Sequence, residues 1–125
     1  MRRVTLWELH RTHAWVVIIA NAVVGVWALS AHFWPPLRGG KAIWGGVIIA
    51  ETTVVVQVIL GISVAVKPEF PLSWMHAMYG ILATISIAVL FGYQSRPFIG
   101  GRRLVLYGVG SLFIMGLAIR GYLVH

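Results

Sequence analysis

Histidines at the starts of two apolar segments are the residues of this chain best suited to chemistry. His10 and His13 open the first segment, and His76 opens the third. Imidazoles that face each other across a helical bundle are common axial ligands of haem iron, and ligand identity helps to set its potential. His10 and His13 are three positions apart and share much of one helical face, so the sequence leaves open which of them would pair with His76.

Each of these histidines also has an interpretation without a cofactor. His10 and His13 could contact lipid headgroups or pack between helices. His76 lies inside an apolar run, where an ionisable group is usually paired or functional, and it is therefore the ligand that we most expect. His32 has no histidine opposite it, so we expect no second haem there, and His125 is terminal and expected to be solvated.

Small residues follow His76 at every fourth position: they are Gly80, Thr84, Ala88 and Gly92. Positions four apart lie on one face of a helix, so we expect something large to lie against this face and the rest of the chain to meet it. A flat macrocycle needs more space than the roughly 8–10 Å between ordinarily packed helices. Stripes of small residues also occur where membrane helices simply pack together, and the sequence leaves both interpretations open.

Cations lie near the same ends of the segments as the histidines. Haem propionates need positive partners, and Arg11, Lys67 and Arg120 are on the correct side. The cofactor-binding surface that the sequence predicts is His10 or His13, with His76, Gly80, Arg11 and Arg120. The metal ligands would be His10 and His76.

The composition indicates that these segments lie in a lipid bilayer. The chain has 125 residues, of which 59% are hydrophobic and 10% charged, and a soluble domain of this size has too little interior for so much apolar surface. Four segments, at about 6–34, 42–66, 72–93 and 104–124, reach the roughly 20 apolar residues that span a bilayer. The net charge of +7 comes from basic residues at segment ends, where they anchor to headgroups and do not indicate nucleic acid. The lack of cysteine excludes disulfides, thiolate metal sites and thioether-attached haem.

Turn residues define the connections between these segments. Thr5 and Glu8 form a capping box, Pro35 and Pro36 end the first helix, and Pro71 suits the first position of the third. Because the loops are short, neighbouring helices should be antiparallel. We therefore predict one all-α domain over residues 1–125, an integral-membrane up-down-up-down four-helix bundle, multi-pass in the cell membrane (inner membrane) of a bacterium or archaeon. Basic residues are shared equally between the two sides, so charge does not set the orientation.

Polar residues in the middle of the spans need partners. Glu51 lies near the middle of the second segment, and a carboxyl group in hydrocarbon is protonated, paired or part of a proton path. Asn21 and Gln57 could form hydrogen bonds between helices at mid-depth. A structural hydrogen bond is the first expectation for all three residues, with proton transfer by Glu51 as the alternative.

Three stretches, taken in order, resemble helices of the haem A synthase family. His10–Ala14 resembles the His-Arg-x-x-Ala start of a ligand helix, and Val54–Gly61 carries the Gln-x-x-Leu-Gly signature of the following helix. Phe70–Gly80 resembles the next helix, in which proline and leucine precede a ligand histidine. The order and spacing agree over roughly residues 8–93, which is three helices of four.

This resemblance implies a haem b (heme b) site between His10 and His76, with His13 in reserve, because each four-helix half of that family holds a haem between such a pair. The chain has one half instead of two, and Trp7 stands where the family has a glutamate, with Glu8 one position away. The fourth helix is expected to replace the helix that precedes the His-Arg helix in that family. A single-site b-type cytochrome, in the general style of cytochrome b561 proteins, is therefore the better match to one histidine pair.

Several functions fit these observations. The first is a small membrane b-type cytochrome with one bis-histidine haem, which passes electrons between a carrier such as quinol and a partner, as a subunit of a respiratory or photosynthetic complex. The second is a cofactor-free accessory or assembly subunit that docks through glycine and alanine faces, which could also form an oligomer. The third is a haem-modifying or haem-carrying protein related to haem A synthase, so whether the chain is an enzyme stays open. A pigment other than haem, such as a chlorophyll on a lone histidine, is also compatible.

Overall fold

The computed structural model describes residues 5–68 and 72–124, which form four helices. These are α1 (Leu6–Phe33), α2 (Lys41–Ala65), α3 (Trp74–Tyr93) and α4 (Arg103–Leu123), with short 3₁₀ turns before α2 and α4. Each helix is long and apolar enough to cross a membrane. The predicted all-helical architecture of four such helices is confirmed, whereas the predicted role of Pro71 lies outside the described residues.

Local residues set where α1 and α3 begin. Thr5 Oγ1 accepts a hydrogen bond from the Glu8 amide at 3.1 Å, as a capping box requires. Ser73 Oγ caps α3 in the same way and accepts from the His76 amide at 3.5 Å. α1 ends just ahead of Pro35, whose ring cannot continue a helix. Both capped starts place a histidine within the first two turns of its helix.

α1 is the central helix of the bundle, because it packs extensively against both α2 and α4. Between α1 and α4, Leu29 lies directly against Gly108. α3 packs mainly against α4, for example where Leu90 covers Gly110, and it barely meets α2. α3 is consequently the least buried of the four helices.

Two buried apolar clusters fill the bundle at different heights. The histidine-side cluster consists of Val17, Val54, Ala83, Ile114 and Leu117. The distal cluster consists of Val24, Ala28, Ala31, Ile43, Val47, Ala50, Leu90 and Tyr107. On three helices, a fully buried polar residue falls between the two clusters: these residues are Asn21, Glu51 and Ser111.

The small-residue face of α3 is largely exposed, contrary to the expectation that the rest of the chain meets it. Thr84, Ala88 and Gly92 are exposed, and a Cβ added at Gly80 or Gly92 would have no neighbour within 4 Å. The physical reason is the separation of α2 from α3, which leaves this side of α3 without a packing helix.

Candidate functional site

A cavity of about 660 Å³ lies in the space between α2 and α3, at the end of the bundle where α1 and α3 begin. All four helices contribute to its wall, which is almost entirely apolar. It extends from Trp7 and Arg11 at one end to the histidine-side cluster at the other. Ligand sites commonly have volumes of about 300–1,000 Å³, so this cavity is large enough for a cofactor.

Two histidines face each other in this cavity. The rings of His10 and His76 both line it, with their centroids 5.7 Å apart and their planes at 81°. Two imidazoles bound to one metal ion through bonds of about 2.0 Å would have centroids about 6 Å apart. The observed separation is therefore close to that of two axial ligands of one metal.

The orientation of the His76 ring is fixed by α4. His76 Nδ1 lies 2.8 Å from the carbonyl oxygen of Gly121. A carbonyl oxygen only accepts hydrogen bonds, so Nδ1 carries the proton and donates it. Nε2 is then the nitrogen with the lone pair, and this tautomer, held by a backbone carbonyl, is the one in which histidine commonly binds metals.

The His10 ring rests against α2 at a glycine. A Cβ added at Gly61 would lie only 3.0 Å from His10 Cε1, so the absence of a side chain there makes room for the imidazole. The His10 ring lies close to the backbone of Gln57, but its buried Nδ1 makes no hydrogen bond of ordinary geometry among the described residues. A buried ring nitrogen without a partner costs free energy, which makes this histidine a candidate for ligation.

His13 is engaged elsewhere. His13 Nδ1 lies 2.8 Å from Gln57 Oε1, and Gln57 Nε2 donates to the His10 carbonyl at 2.8 Å. Gln57 therefore forms hydrogen bonds between helices, as predicted. The same prediction is wrong for Asn21, which donates only within its own helix, and the hydrogen bond expected for Glu51 is absent among the described residues. Of the two histidines that the sequence could not separate, the structure places His10 on the cavity wall and His13 off it.

Two arginines lie at the end of the bundle that carries the histidines, each next to a tyrosine. Arg11 lines the cavity; its Nε donates to the Tyr122 hydroxyl at 3.4 Å, and its guanidinium lies 5.3 Å from the centre of the Trp7 ring. Arg120 donates to the Tyr79 hydroxyl at 3.3 Å but does not line the cavity. The tyrosine partners were not predicted, because each lies on a different helix from its arginine and no local spacing links the two.

Among the other residues singled out in the sequence, some line the cavity and some do not. Gly80 lines the cavity. His32 lies at the far end of α1 and packs edge-on against Phe33, with ring centroids 4.9 Å apart. His125 lies outside the described residues. The Gly121 carbonyl, which orients His76, is a backbone group that residue types could not reveal.

A bare metal ion would find few ligands in this cavity. The described residues contain no group of three or more His, Cys, Asp or Glu side chains that could hold one. Haem iron needs only axial ligands from the protein, because the porphyrin supplies the others. The two imidazoles are thus the candidate metal ligands on the cavity wall among the described residues.

Comparisons with known proteins provide no further information on this site. No protein-family model, no curated protein and no solved structure matches this chain. The resemblance of its three motifs to haem A synthase therefore stays a prediction.

Proposed function

We propose that this protein is an integral-membrane b-type cytochrome that holds one haem b between His10 and His76. The observation that carries the proposal is the pair of histidine rings, 5.7 Å apart in an apolar cavity. The fold would be an up-down-up-down bundle in a bacterial or archaeal cell membrane. The many large apolar side chains exposed on its helices would contact lipid.

Different parts of the cavity would contribute different interactions. His76 presents Nε2 because its Nδ1 donates to Gly121, and His10 contributes its ring from α1, with the nitrogen-bearing edge of the ring next to Gly61. Arg11 offers a cation at the open end for the acidic edge of the cofactor. The apolar wall excludes water from the cofactor body, and haem, when bound, supplies one-electron chemistry at its iron.

Electron transfer is the activity that two histidine ligands favour. A haem iron with two protein ligands has no open position for a substrate, so the protein would act through the potential of its cofactor. The cavity lies within the apolar part of the helices and between α2 and α3, which suits exchange with a lipid-soluble carrier such as a quinol. A larger redox complex would be the other partner.

The visible absorption spectrum of the purified protein tests this proposal. We expect a Soret band at a stoichiometry of one haem per chain. Substitutions His10→Ala and His76→Ala should each lower haem occupancy by about tenfold or more, whereas His13→Ala and the distant control His32→Ala should retain the band. A colourless wild-type protein from cells supplied with haem refutes the proposal, and so does a Soret band that survives His76→Ala unchanged.

A cofactor-free accessory subunit is the second candidate, and the exposed face of α3 favours it. Ala88 and Gly92 are exposed on this face, and small residues are those that membrane helices use to approach one another. This function predicts a colourless protein that co-purifies with a partner complex. A protein that runs alone and monodisperse with stoichiometric haem excludes it.

A further inference from the structure

A layer of buried polar side chains crosses the bundle below the cavity. Asn21, Glu51 and Ser111 have relative exposures of 0%, 1% and 0%. On each of their helices, the histidine-side cluster lies on one side of the polar residue and the distal cluster on the other. His13 contacts Gln57, and Val24 lies near Gly46, which places Asn21 and Glu51 at about the same level on neighbouring helices.

The polar atoms of this layer lack partners within the described residues. Neither carboxyl oxygen of Glu51 has a hydrogen-bond partner there, and the same holds for Asn21 Oδ1 and Ser111 Oγ. Asn21 Nδ2 donates only to the Val17 carbonyl of its own helix, at 3.0 Å. An ionised carboxylate without partners is far more costly to bury than the neutral acid, so the charge state of Glu51 must respond strongly to its surroundings.

The surroundings of Glu51 offer its carboxyl group no charged partner within hydrogen-bond distance. Among the described residues, neither of its oxygens has a hydrogen-bond partner of any kind. The titratable side chains in the adjoining apolar packing are Tyr107, in the distal cluster, and Tyr79, against the histidine-side cluster. A change of charge in the cavity would therefore act on Glu51 without a nearby ion to offset it.

The cavity comes close to this layer. Val17 and Val54 line the cavity floor, and Glu51 lies three positions from Val54, which is less than one helical turn. The position that supports the His10 ring, Gly61, is ten residues from Glu51, or about 15 Å of helix rise. Two unit charges at about 15 Å with an effective dielectric constant of about 20 shift an equilibrium by about sixfold.

We propose that Glu51 is the proton-accepting group of this protein and takes up one proton when the cofactor in the cavity is reduced. This inference rests on the proposed function. With haem bound, a one-electron reductant would supply one electron to the cofactor, and one proton from the aqueous phase would form an O–H bond on a Glu51 carboxyl oxygen; oxidation would release both. Reduction adds negative charge to the cavity and so favours the neutral carboxyl group. The reduction potential should therefore fall as pH rises through the titration of Glu51.

Redox-induced infrared difference spectroscopy on the haem-loaded protein tests the inference. The chain has only three acidic residues, so the carboxyl region of the spectrum is simple. We expect a carboxylic-acid carbonyl band to gain intensity on reduction, to shift in D₂O, and to disappear in Glu51→Gln. The control Glu8→Gln removes a carboxylate from the start of α1 and should leave the band unchanged.

The reduction potential gives an independent readout. The sixfold coupling corresponds to a total pH-dependent change of about 50 mV at about 59 mV per tenfold, which Glu51→Gln should abolish and Glu51→Asp should retain in part. Should Glu51→Gln fail to fold, the double variant Glu8→Gln, Glu69→Gln labelled with ¹³C-glutamate still decides, because Glu51 is then the one glutamate in the sequence and an isotope shift of the band must accompany reduction. A loaded protein without such a band, or with one that persists in Glu51→Gln, overturns this inference alone. A protein that binds no haem overturns the proposed function as well.

Discussion

Gly61 offers the sharpest test that His10, and not His13, is the ligand on α1. A Cβ added at Gly61 would lie 3.0 Å from His10 Cε1, 3.5 Å from Nε2 and 3.6 Å from Nδ1. The three nearest atoms thus all belong to one edge of one ring. An alanine there must displace the imidazole slightly, and the two additional methyl groups of a valine must displace it further.

The expected loss of haem affinity follows from the role of the groups that support the ligands in metal sites. Changes to the groups that orient a ligand typically cost about 10–100-fold in affinity, and each tenfold corresponds to about 1.4 kcal/mol. We therefore expect Gly61→Ala to weaken haem binding by up to about tenfold and Gly61→Val by about 10–100-fold. Alanine favours the helix over glycine by about 1 kcal/mol, so weaker binding in Gly61→Ala cannot be explained by a weaker helix.

Titration of the haem-free protein with haem, followed at the Soret band, measures this affinity. Gly45→Ala and Gly45→Val are matched controls on the same helix, because a Cβ at Gly45 meets nothing within 4 Å. Both controls should bind haem as tightly as the wild type. Wild-type affinity in Gly61→Val would refute the placement of His10 in the site, and equal losses at both glycines would refute the ring contact as the cause.

Three further outcomes follow from the packing and the charges. Gly108→Ala should lower the free energy of unfolding in detergent by about 1–2 kcal/mol, because its Cβ would collide with Leu29. The control Gly116→Ala, in open space on the same helix, should not lower it. Equal losses of unfolding free energy in the two variants would contradict this. Arg11→Gln should weaken haem binding by about two- to fivefold at low salt. Arg120→Gln should weaken it less, because Arg11 lines the cavity and Arg120 does not. A larger effect of Arg120→Gln in the same titration would contradict this. Haem loading should slow amide hydrogen exchange in α3 more than in α1, and unchanged exchange in α3 would argue against a ligand on that helix.

The helix ends and the candidate ligands were accessible from the sequence because local chemistry determines them. The hydroxyl of Thr5 and the ring of Pro35 act within a few residues of their own positions, and both act as predicted. The choice between His10 and His13 was not accessible. Both lie on one face of α1, and the group that separates them, Gln57, comes from a different helix.

The side of each helix that packs against its neighbours was the feature least predictable from the sequence. Helices that are apolar on all sides have no polar face to mark solvent, so the small residues of α3 showed only which positions share a face. Thr84 and Ala88 proved to be exposed because α2 lies too far from α3 to cover them. The depth of Glu51 in its span was predictable from its position in the apolar segment. Its lack of hydrogen-bond partners among the described residues was not, because that depends on which residues the neighbouring helices place beside it.

The wide spacing between α2 and α3 distinguishes a loosely packed part of the molecule from a tightly packed part. Where the two helices separate, the cavity lies between them, and α3 is held mainly through α4. A cofactor bound to both His10 and His76 would join this least buried helix to the central one, so binding would add to the stability of the fold. Glu51 lies in the tightly packed part instead, where an apolar side chain of similar size would cost less free energy to bury. Packing therefore explains the cavity but not the carboxyl group beneath it, whereas the proposed proton uptake by Glu51 would give that carboxyl group a role.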